Sequence, residues 1–549
     1  MPRFVCLLLA IYFLLGSCKA WHPSSLIPTP LPSPTATPSS QTLRLATPIP
    51  PLSSTSTPTP LPTATPWRLD IAEQATALLP WAQVDLAGLE NLTQYSIELT
   101  MEMGARHSGQ EGPDESATPV PDASPLLIQG REEVRYTNTE DVPLDEVVFR
   151  LFPQTPGYGG KMEVDEVRVD GGAATTQLDL MGSALYVMLP QPLDPGETAT
   201  FQLAFQVTVP EDAEVGYGQF SCADGILSLP NVYPLIPVYD DEGWNVELAP
   251  AYGDAVYSDV ALYRVQVRAP SDQIVVASGS ALARSEHGDS TATTAFVTGP
   301  MRDFAVVMSA DFVTSTARVD GTLVTSYYLS QDAEGGKWAL DYAADALEFF
   351  SEYFGPYPYA EFDVVETPTT AGGIEYPGLV VIAQRLYDQS GGFSEFATAH
   401  EVAHQWWYGL VGSDQVDEPW LDEALAQYST LLYCETVRGP NVADEVRKRV
   451  FEQPYERLVE EGRDAPVGQP VQAFSREDYG LVVYGKGPLF FQALRDEVGD
   501  EVFFAILRAY LGAYRYQIAT PEGFLALAEE VSGQELDDLY EKWILNPSP

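Results

Sequence analysis

Two histidines, four positions apart, are the feature of this 549-residue sequence with the clearest chemical potential. His400 and His404 enclose Glu401 in a segment, 393–409, whose composition predicts a helix. Residues four apart share one face of a helix, so both imidazoles can bind one metal ion. Glu401 stands beside them, where a carboxylate can accept a proton from a metal-bound water. Because the same pentad also occurs in ordinary helices, a metal site needs a further ligand.

Glu423 is the candidate for that ligand, since a catalytic zinc ion takes three protein ligands and leaves one position for water. Eighteen residues separate it from His404. Pro419 is placed where a helix can begin, so Glu423 falls in the first or second turn of a second helix. Two helices joined by a short loop can fold back on one another. The sequence therefore predicts one Zn²⁺ ion held by His400, His404 and Glu423.

This pattern resembles that of the aminopeptidase N-like (membrane alanyl aminopeptidase) zinc metallopeptidases of the gluzincin group. Those proteins have the same two-histidine helix and a glutamate in a Trp-Leu-x-Glu context, as in residues 420–423 here. The Gly-Gly-Ile-Glu-Tyr run at 372–376 is similar to their Gly-x-Met-Glu-Asn strand. The Tyr-Gly-Lys-Gly run at 484–487 is similar to their Tyr-Glu-Lys-Gly segment. The resemblance extends over residues 90–549.

The resemblance implies a catalytic role for two residues besides the ligands. Glu401 takes the proton of the attacking water and later passes it to the leaving amine. The hydroxyl of Tyr484 donates to the oxyanion of the tetrahedral intermediate. Zinc would lower the pKa of its bound water and so provide a nucleophile at neutral pH.

A substrate-binding role is implied for the glycine-rich strand. Glu375 would hold the free α-amine of a peptide through a charge-assisted hydrogen bond, which confines cleavage to the first residue. Gly372 and Gly373 would form the substrate-binding backbone next to it. The sequence departs from the family pattern at two positions here, with Ile374 in place of Met and Tyr376 in place of Asn.

The elements that must position these residues change character along the chain. From residue 95 to about 328, short runs of alternating polar and apolar residues are separated by Gly, Pro, Asp and Asn turns, which is typical of strands. Afterwards, helical patterns predominate. The prediction is an α+β multidomain fold. Residues 67–328 form an N-terminal antiparallel β domain, saddle- or sandwich-like, and residues 329–549 form a mainly helical, thermolysin-like zinc peptidase domain.

The start of the chain predicts export and a membrane anchor. Residues 1–17 have the charge, apolar run and small residues of a signal peptide. Cys18 follows as in a bacterial lipobox, with cleavage of a plain secretory signal as the alternative. Residues 18–66 are rich in Pro, Ser and Thr and predict an extended tether. The expected location is the cell surface as a lipoprotein, with secretion as the alternative.

Composition restricts the partners. The formal net charge is −49, which excludes nucleic acid as a partner, because phosphate recognition needs clustered Lys and Arg. Cys222 and Cys434 are too few for a disulfide framework, and separate thiols are favoured over a pair. The expected partners are peptide substrates and, through Cys18, a membrane.

Three functions remain open at this point. The first is a zinc aminopeptidase acting on extracellular peptides. The second is a zinc endopeptidase with an open cleft, because the chain after Tyr484 is too short for the large helical C-terminal domain of many family members. The third is a retired enzyme that serves as a peptide-binding scaffold. The intact His400, Glu401, His404, Glu423 and Tyr484 count against the third.

Overall fold

A computed structural model describes residues 71–89, 91–102, 126–211, 213, 215–388 and 390–547. The predicted signal peptide, the anchor at Cys18 and the predicted tether lie outside these residues. Within the described part of the chain, no helix has the length and apolar character needed to cross a membrane.

The N-terminal part consists of strands, as predicted. The strands are β1 (Thr93–Glu102), β2 (Leu126–Thr137), β3 (Leu144–Arg150), β4 (Lys161–Val169), β5 (Gly172–Ala173), β6 (Thr175–Asp179), β7 (Ala184–Leu193), β8 (Thr198–Val209), β9 (Ser221–Ala223), β10 (Ile226–Pro230), β11 (Tyr239–Asp240), β12 (Gly243–Trp244), β13 (Ala261–Pro270), β14 (Ile274–Ala277), β15 (Ser280–Glu286), β16 (Thr291–Val297), β17 (Ala305–Ser309), β18 (Phe312–Val319) and β19 (Thr322–Leu329). The alternation that predicted them is an alternation of burial: in β1, Tyr95, Ile97 and Leu99 face the core.

The largest sheet has eight strands in the order β15-β16-β13-β1-β2-β8-β4-β5. It is mixed rather than wholly antiparallel, because β1 pairs with β13 in parallel, with Ile97 opposite Val265. A four-stranded sheet (β14-β17-β10-β9), a three-stranded sheet (β3-β7-β6) and a two-stranded sheet (β11-β12) also belong to the β part.

A five-stranded sheet crosses the predicted domain boundary at 328/329. It contains β20 (Glu361–Thr367), β21 (Gly373–Ile374) and β22 (Leu379–Ala383) in the order β18-β19-β20-β22-β21. Strands on both sides of the boundary therefore share one hydrogen-bonded sheet, with Ser326 of β19 opposite Val364 of β20. The strand β21 lies at its edge and leaves one side of its backbone outside the sheet.

The remainder is mainly helical. The helices are α1 (Ala333–Tyr353), α2 (Phe393–Ala403), α3 (Glu423–Tyr433), α4 (Pro440–Val446), α5 (Gln453–Glu460), α6 (Arg476–Leu481), α7 (Gly487–Val498), α8 (Asp500–Tyr514), α9 (Pro521–Ser532) and α10 (Asp537–Tyr540). Two short strands, β23 (Val411–Gly412) and β24 (Gln517–Ile518), pair in parallel. Trp406 and Trp420 are buried among them. Cys222 and Cys434 are not joined by a disulfide, as favoured from the sequence.

The helix predicted over 393–409 is shorter than expected. Regular helix ends at Ala403, and the backbone turns away at Trp407 and Tyr408, which have non-helical φ and ψ. No glycine or proline marks this break in the sequence. Its consequence is that the Tyr408 side chain leaves the helix and its hydroxyl donates to Asp303 of the β part at 2.5 Å.

Candidate active site

The two histidines lie at the C-terminal end of α2. His400 is in its last turn and His404 follows it directly, so the two rings are on one face with centroids 4.7 Å apart. Both side chains are buried. Their Nε2 atoms are 3.1 Å apart and point to the same place, which two imidazoles do when they share an ion.

Glu423 is the first residue of α3, preceded by a tight turn that starts at Pro419. Its Oε2 is 3.2 Å from Nε2 of His400 and 3.4 Å from Nε2 of His404. Ligand atoms around a tetrahedral zinc ion are about 3.3 Å apart, given bonds of about 2.1 Å. The three residues therefore fit the predicted ion in both donor type and spacing, and their three donor atoms form a buried cluster.

A carboxylate behind the ligands orients His404. Asp422 Oδ1 is 2.5 Å from Nδ1 of His404, and Asp422 Oδ2 accepts a hydrogen bond from Gln415. With Nδ1 held in this way, Nε2 is left to bind the ion. By contrast, Nδ1 of His400 is buried and has no hydrogen-bond partner among the described residues.

Glu401 lies against the edge strand β21. A Cβ atom on Gly373 would lie 2.5 Å from Glu401 Cγ and 2.6 Å from its Oε1. Only a glycine allows the backbone of β21 to approach the carboxylate this closely. Oε2 of Glu401 is buried and has no partner within the described chain, so one oxygen is available to a reacting group. Gly372 anchors the strand, since its carbonyl accepts from the backbone N–H of Ala383.

Tyr484 is brought to the same place by a wide helical turn, Val482–Lys486, just before α7. Its hydroxyl donates to Oε1 of Glu423, the oxygen that does not face the histidines. The Tyr484 ring is 6.0 Å from the ring of His400. Its hydroxyl thus lies at the edge of the ligand cluster, within the same cleft.

Two further carboxylates line the cleft, those of Glu375 and Asp254, and the sequence predicted only Glu375. Glu375 follows β21 and is buried at the cleft wall. Asp254, from a loop of the β part, lines the same cleft. After burial, the charge of Asp254 is the largest influence that raises the pKa of Glu375.

The local electrostatics follow from this concentration of acids. Burial, and then the charge of Glu375, raise the pKa of the Glu401 carboxyl well above its usual range. Burial lowers the pKa of His404, but the charges of Asp422 and Glu375 outweigh it, so the net pKa is raised. For Glu423, burial raises the pKa, but the hydrogen bonds of both histidines outweigh it and lower the pKa.

Except for His404 and Asp422, these residues line one cleft, whose walls come from both the β part and the helical part. The structure brings together every residue that the sequence predicted for the site: Glu375, Gly372, Gly373, His400, Glu401, His404, Glu423 and Tyr484. Their functional roles stay predictions. Sequence reasoning assigned no role to Asp422, although it directly precedes a predicted ligand, and it missed Asp254 entirely.

The donor set and the two-helix arrangement define a single-zinc domain of the kind that has two histidine ligands and one glutamate ligand. Residues 338–543 match the family described as the Peptidase family M1 domain. The resemblance to the aminopeptidase N-like zinc peptidases is thereby confirmed, and zinc is the ion that the family implies.

Curated relatives match parts of the chain. Aminopeptidase M1-B of Oryza sativa subsp. japonica is 27% identical over 303 residues, which are 52% of this chain and 34% of that protein. Aminopeptidase M1 of Arabidopsis thaliana is 31% identical over 238 residues, 41% of this chain and 27% of that protein. The chain thus spans about a third of the length of these relatives.

A solved structure of an M1 zinc metallopeptidase mutant from Deinococcus radiodurans superposes with a TM-score of 0.60 at 20% identity. It covers 84% of this chain and 95% of that one. The shared fold confirms the predicted architecture, an N-terminal β part followed by a helical zinc peptidase domain.

Proposed function

We propose that the protein is a zinc-dependent aminopeptidase that hydrolyses the N-terminal peptide bond of peptides. One observation carries the proposal: Asp254 and Glu375 face the cleft beside the ligand cluster, and no lysine or arginine of the described chain pairs with either. A buried carboxylate such as that of Glu375 calls for a cation. The cation that every unblocked peptide carries is its α-ammonium group, which both carboxylates can bind through charge-assisted hydrogen bonds.

In the proposed hydrolysis, the zinc ligands, Glu401 and Tyr484 have separate roles. A zinc ion held by His400, His404 and Glu423 would polarise the scissile carbonyl and acidify water. Glu401, with a raised pKa and one free oxygen, accepts the proton of the attacking water and delivers it to the leaving amine. The Tyr484 hydroxyl turns from Glu423 to the developing oxyanion and stabilises it.

The comparisons support this choice of reaction. The curated relatives quoted above are aminopeptidases, although the chain spans only about a third of their length. One structure of the Deinococcus protein contains a Tyr-Ser-Ala substrate. A peptide of that kind enters the cleft here with its amine at Glu375 and Asp254, which leaves the first peptide bond next to the ligand cluster.

The place of action is also a proposal, and it rests on the sequence alone. The signal-like residues 1–17, a lipid-modified Cys18 and the tether at 18–66 would hold the enzyme on the outer side of a bacterial membrane. Labelling of the expressed chain with radioactive palmitate, compared with a Cys18→Ser variant, tests it. Radioactive label in both proteins, or in neither of them, would contradict a lipid anchor at Cys18.

The experiment for the activity is hydrolysis of aminoacyl chromogenic amides by the zinc-loaded protein, with and without a chelator. Glu401→Gln is expected to abolish chelator-sensitive release while the protein still holds zinc. Glu395→Gln is the matched control: it removes a glutamate from the same helix, where it pairs with Arg438 at 2.5 Å, away from the ligands. Equal loss in both variants would contradict the role of Glu401.

A pair of peptides, one free and one acetylated at its N-terminus, separates the alternatives. An aminopeptidase cleaves only the free peptide, since acetylation removes the α-ammonium. Cleavage of both at an internal bond would identify an endopeptidase. Zinc-dependent binding without cleavage of either would identify a peptide-binding scaffold.

A further inference from the structure

A polar recess opens from the cleft next to Glu375. Its walls are Tyr158, Asp303, Tyr376 and Tyr408, all of which line the cleft. Tyr376 directly follows Glu375 in the chain. The Tyr408 hydroxyl donates to Asp303, and burial and then the charges of Asp303 and Glu375 raise its pKa. The recess therefore adjoins the position proposed for the substrate's α-ammonium group.

Asp303 brings an unpaired carboxylate to this recess. It is only 1% exposed. Its Oδ2 accepts from the Tyr408 hydroxyl, but its Oδ1 is buried and has no hydrogen-bond partner among the described residues. Its neighbour Arg302 does not pair with it, because the Arg302 guanidinium donates to three backbone carbonyls instead.

Further unpaired polar groups lie in the same part of the cleft. The Tyr376 hydroxyl, which can donate or accept, is buried without a partner among the described residues. Asn231 donates its amide to the Tyr158 hydroxyl at 3.2 Å, and its own Oδ1 is left without a partner within the described chain. Arg150, which lines the cleft, donates to the carbonyl of Glu247, and its Nε is buried without a partner among the described residues. Buried acceptors left unpaired are costly, so Oδ1 of Asp303 and Oδ1 of Asn231 are suited to a ligand with several donors.

We propose that the recess binds the cationic side chain of the first substrate residue, so that the preferred peptides begin with lysine or arginine. This inference rests on the proposed aminopeptidase function, because it requires the α-ammonium at Glu375. From there the side chain passes Tyr376 and ends at Oδ1 of Asp303. An ammonium group offers three donors and a guanidinium group five, and the unpaired Oδ1 atoms of Asp303 and Asn231 are acceptors. The long methylene stems of these residues fit between the tyrosine rings.

The test compares amides of cationic amino acids with amides of neutral amino acids of similar shape. The kcat/KM of the zinc-loaded full-length protein is measured at pH 8 with arginine and citrulline amides, and with lysine and norleucine amides, of one chromophore. The charged member of each pair is expected to be better by about tenfold or more, the usual size of a hydrogen bond to a charged group. Asp303→Asn, which keeps an acceptor for Tyr408, is expected to bring both ratios close to one.

Asp194→Asn is the control for net charge, because it removes a carboxylate from an exposed turn and should keep both ratios. Equal rates for charged and neutral members in the unaltered protein would overturn the inference. So would unchanged ratios in Asp303→Asn, even with lower rates throughout, since that pattern indicates a role in folding alone.

Hydrolysis of neutral amides without any preference leaves the aminopeptidase proposal intact and rejects only the inference about the recess. If no amide is cleaved, the aminopeptidase proposal fails, and calorimetry on zinc-loaded Glu401→Gln then tests the recess by itself. Tighter binding of free L-arginine than of L-citrulline, abolished by Asp303→Asn, supports the recess. Equal or absent binding of the two overturns it.

Discussion

The carboxylate of Asp422 lies 2.5 Å from Nδ1 of His404, on the side of the ring opposite the ligand cluster. Asp422 is itself fixed by Gln415, so a chain of three side chains sets the direction of one ligand. His400 has no such support, since its Nδ1 has no partner in the described part of the chain. The two histidines therefore contribute unequally to a preformed site.

Asp422→Asn is expected to weaken zinc binding by about 10- to 100-fold, the usual effect of losing the carboxylate behind a histidine ligand. The asparagine amide can present a donor to Nδ1 and so favour the wrong tautomer. Competition with a chromogenic chelator measures the affinity. Asp417→Asn, a nearby partly exposed acid without a bond to His404, is the control. Equal zinc affinity in the two variants would contradict the orienting role.

Gly373→Ala is expected to lower kcat by at least about tenfold with zinc retained, because the new Cβ displaces Glu401 and small misplacements at a reacting group have large effects. The distance that forces this is 2.5 Å, from the added Cβ to Glu401 Cγ. Gly409→Ala is the control, since its Cβ would meet nothing closer than 3.6 Å. Steady-state kinetics and zinc analysis of both variants measure the effect. Full activity of Gly373→Ala would contradict the close approach of the β21 backbone to Glu401.

Tyr484→Phe is expected to reduce kcat about 10²- to 10³-fold, the usual effect of removing one donor to an oxyanion. KM and zinc content should change little, because the hydroxyl is not a proposed ligand. Tyr479→Phe serves as the comparison, for its ring packs on Tyr484 at 5.7 Å and its buried hydroxyl has no partner among the described residues. If Tyr484→Phe instead bound less zinc but kept the kcat of its zinc-loaded fraction, the role of Tyr484 would be to hold the ligand Glu423 in place.

Local geometry explains what the sequence could predict. The positions of His400 and His404 follow from the period of one helix, and that of Glu423 follows from a second helix start at Pro419. The burial alternation of β1 was equally readable. Such features depend on neighbours along the chain, and a single sequence contains them.

The remainder depends on contacts between distant segments. Asp254 and Asp303 reach the cleft from loops of the β part, where no periodicity indicates the direction of a side chain. The end of α2 was missed for a related reason: Tyr408 leaves the helix toward Asp303, a tertiary contact that overrides the local helical pattern. The parallel pairing of β1 with β13 likewise joins strands more than 150 residues apart.

The β core contains a carboxyl group that should make stability depend on pH. Glu132 of β2 is 4% exposed, and both its oxygens lack partners among the described residues. Burial raises its pKa well above the usual value. Above the unfolded pKa of about 4.5, the folded protein therefore retains a proton that the unfolded chain has lost. Because the native state binds more protons, the contribution of Glu132 to stability decreases as the pH rises.

Glu132→Met removes this titration and fills the same space with an apolar side chain. The free energy of unfolding of the variant, relative to the unaltered protein, is expected to increase from pH 5 to pH 7.5, by at most about 1.4 kcal/mol per pH unit. Urea denaturation at the two pH values measures it, and all other titrating groups cancel in the difference. Glu98→Met, on the exposed face of β1, should give the same difference at both pH values. A Glu132→Met difference that is equally independent of pH would mean that Glu132 is ionised in the folded protein.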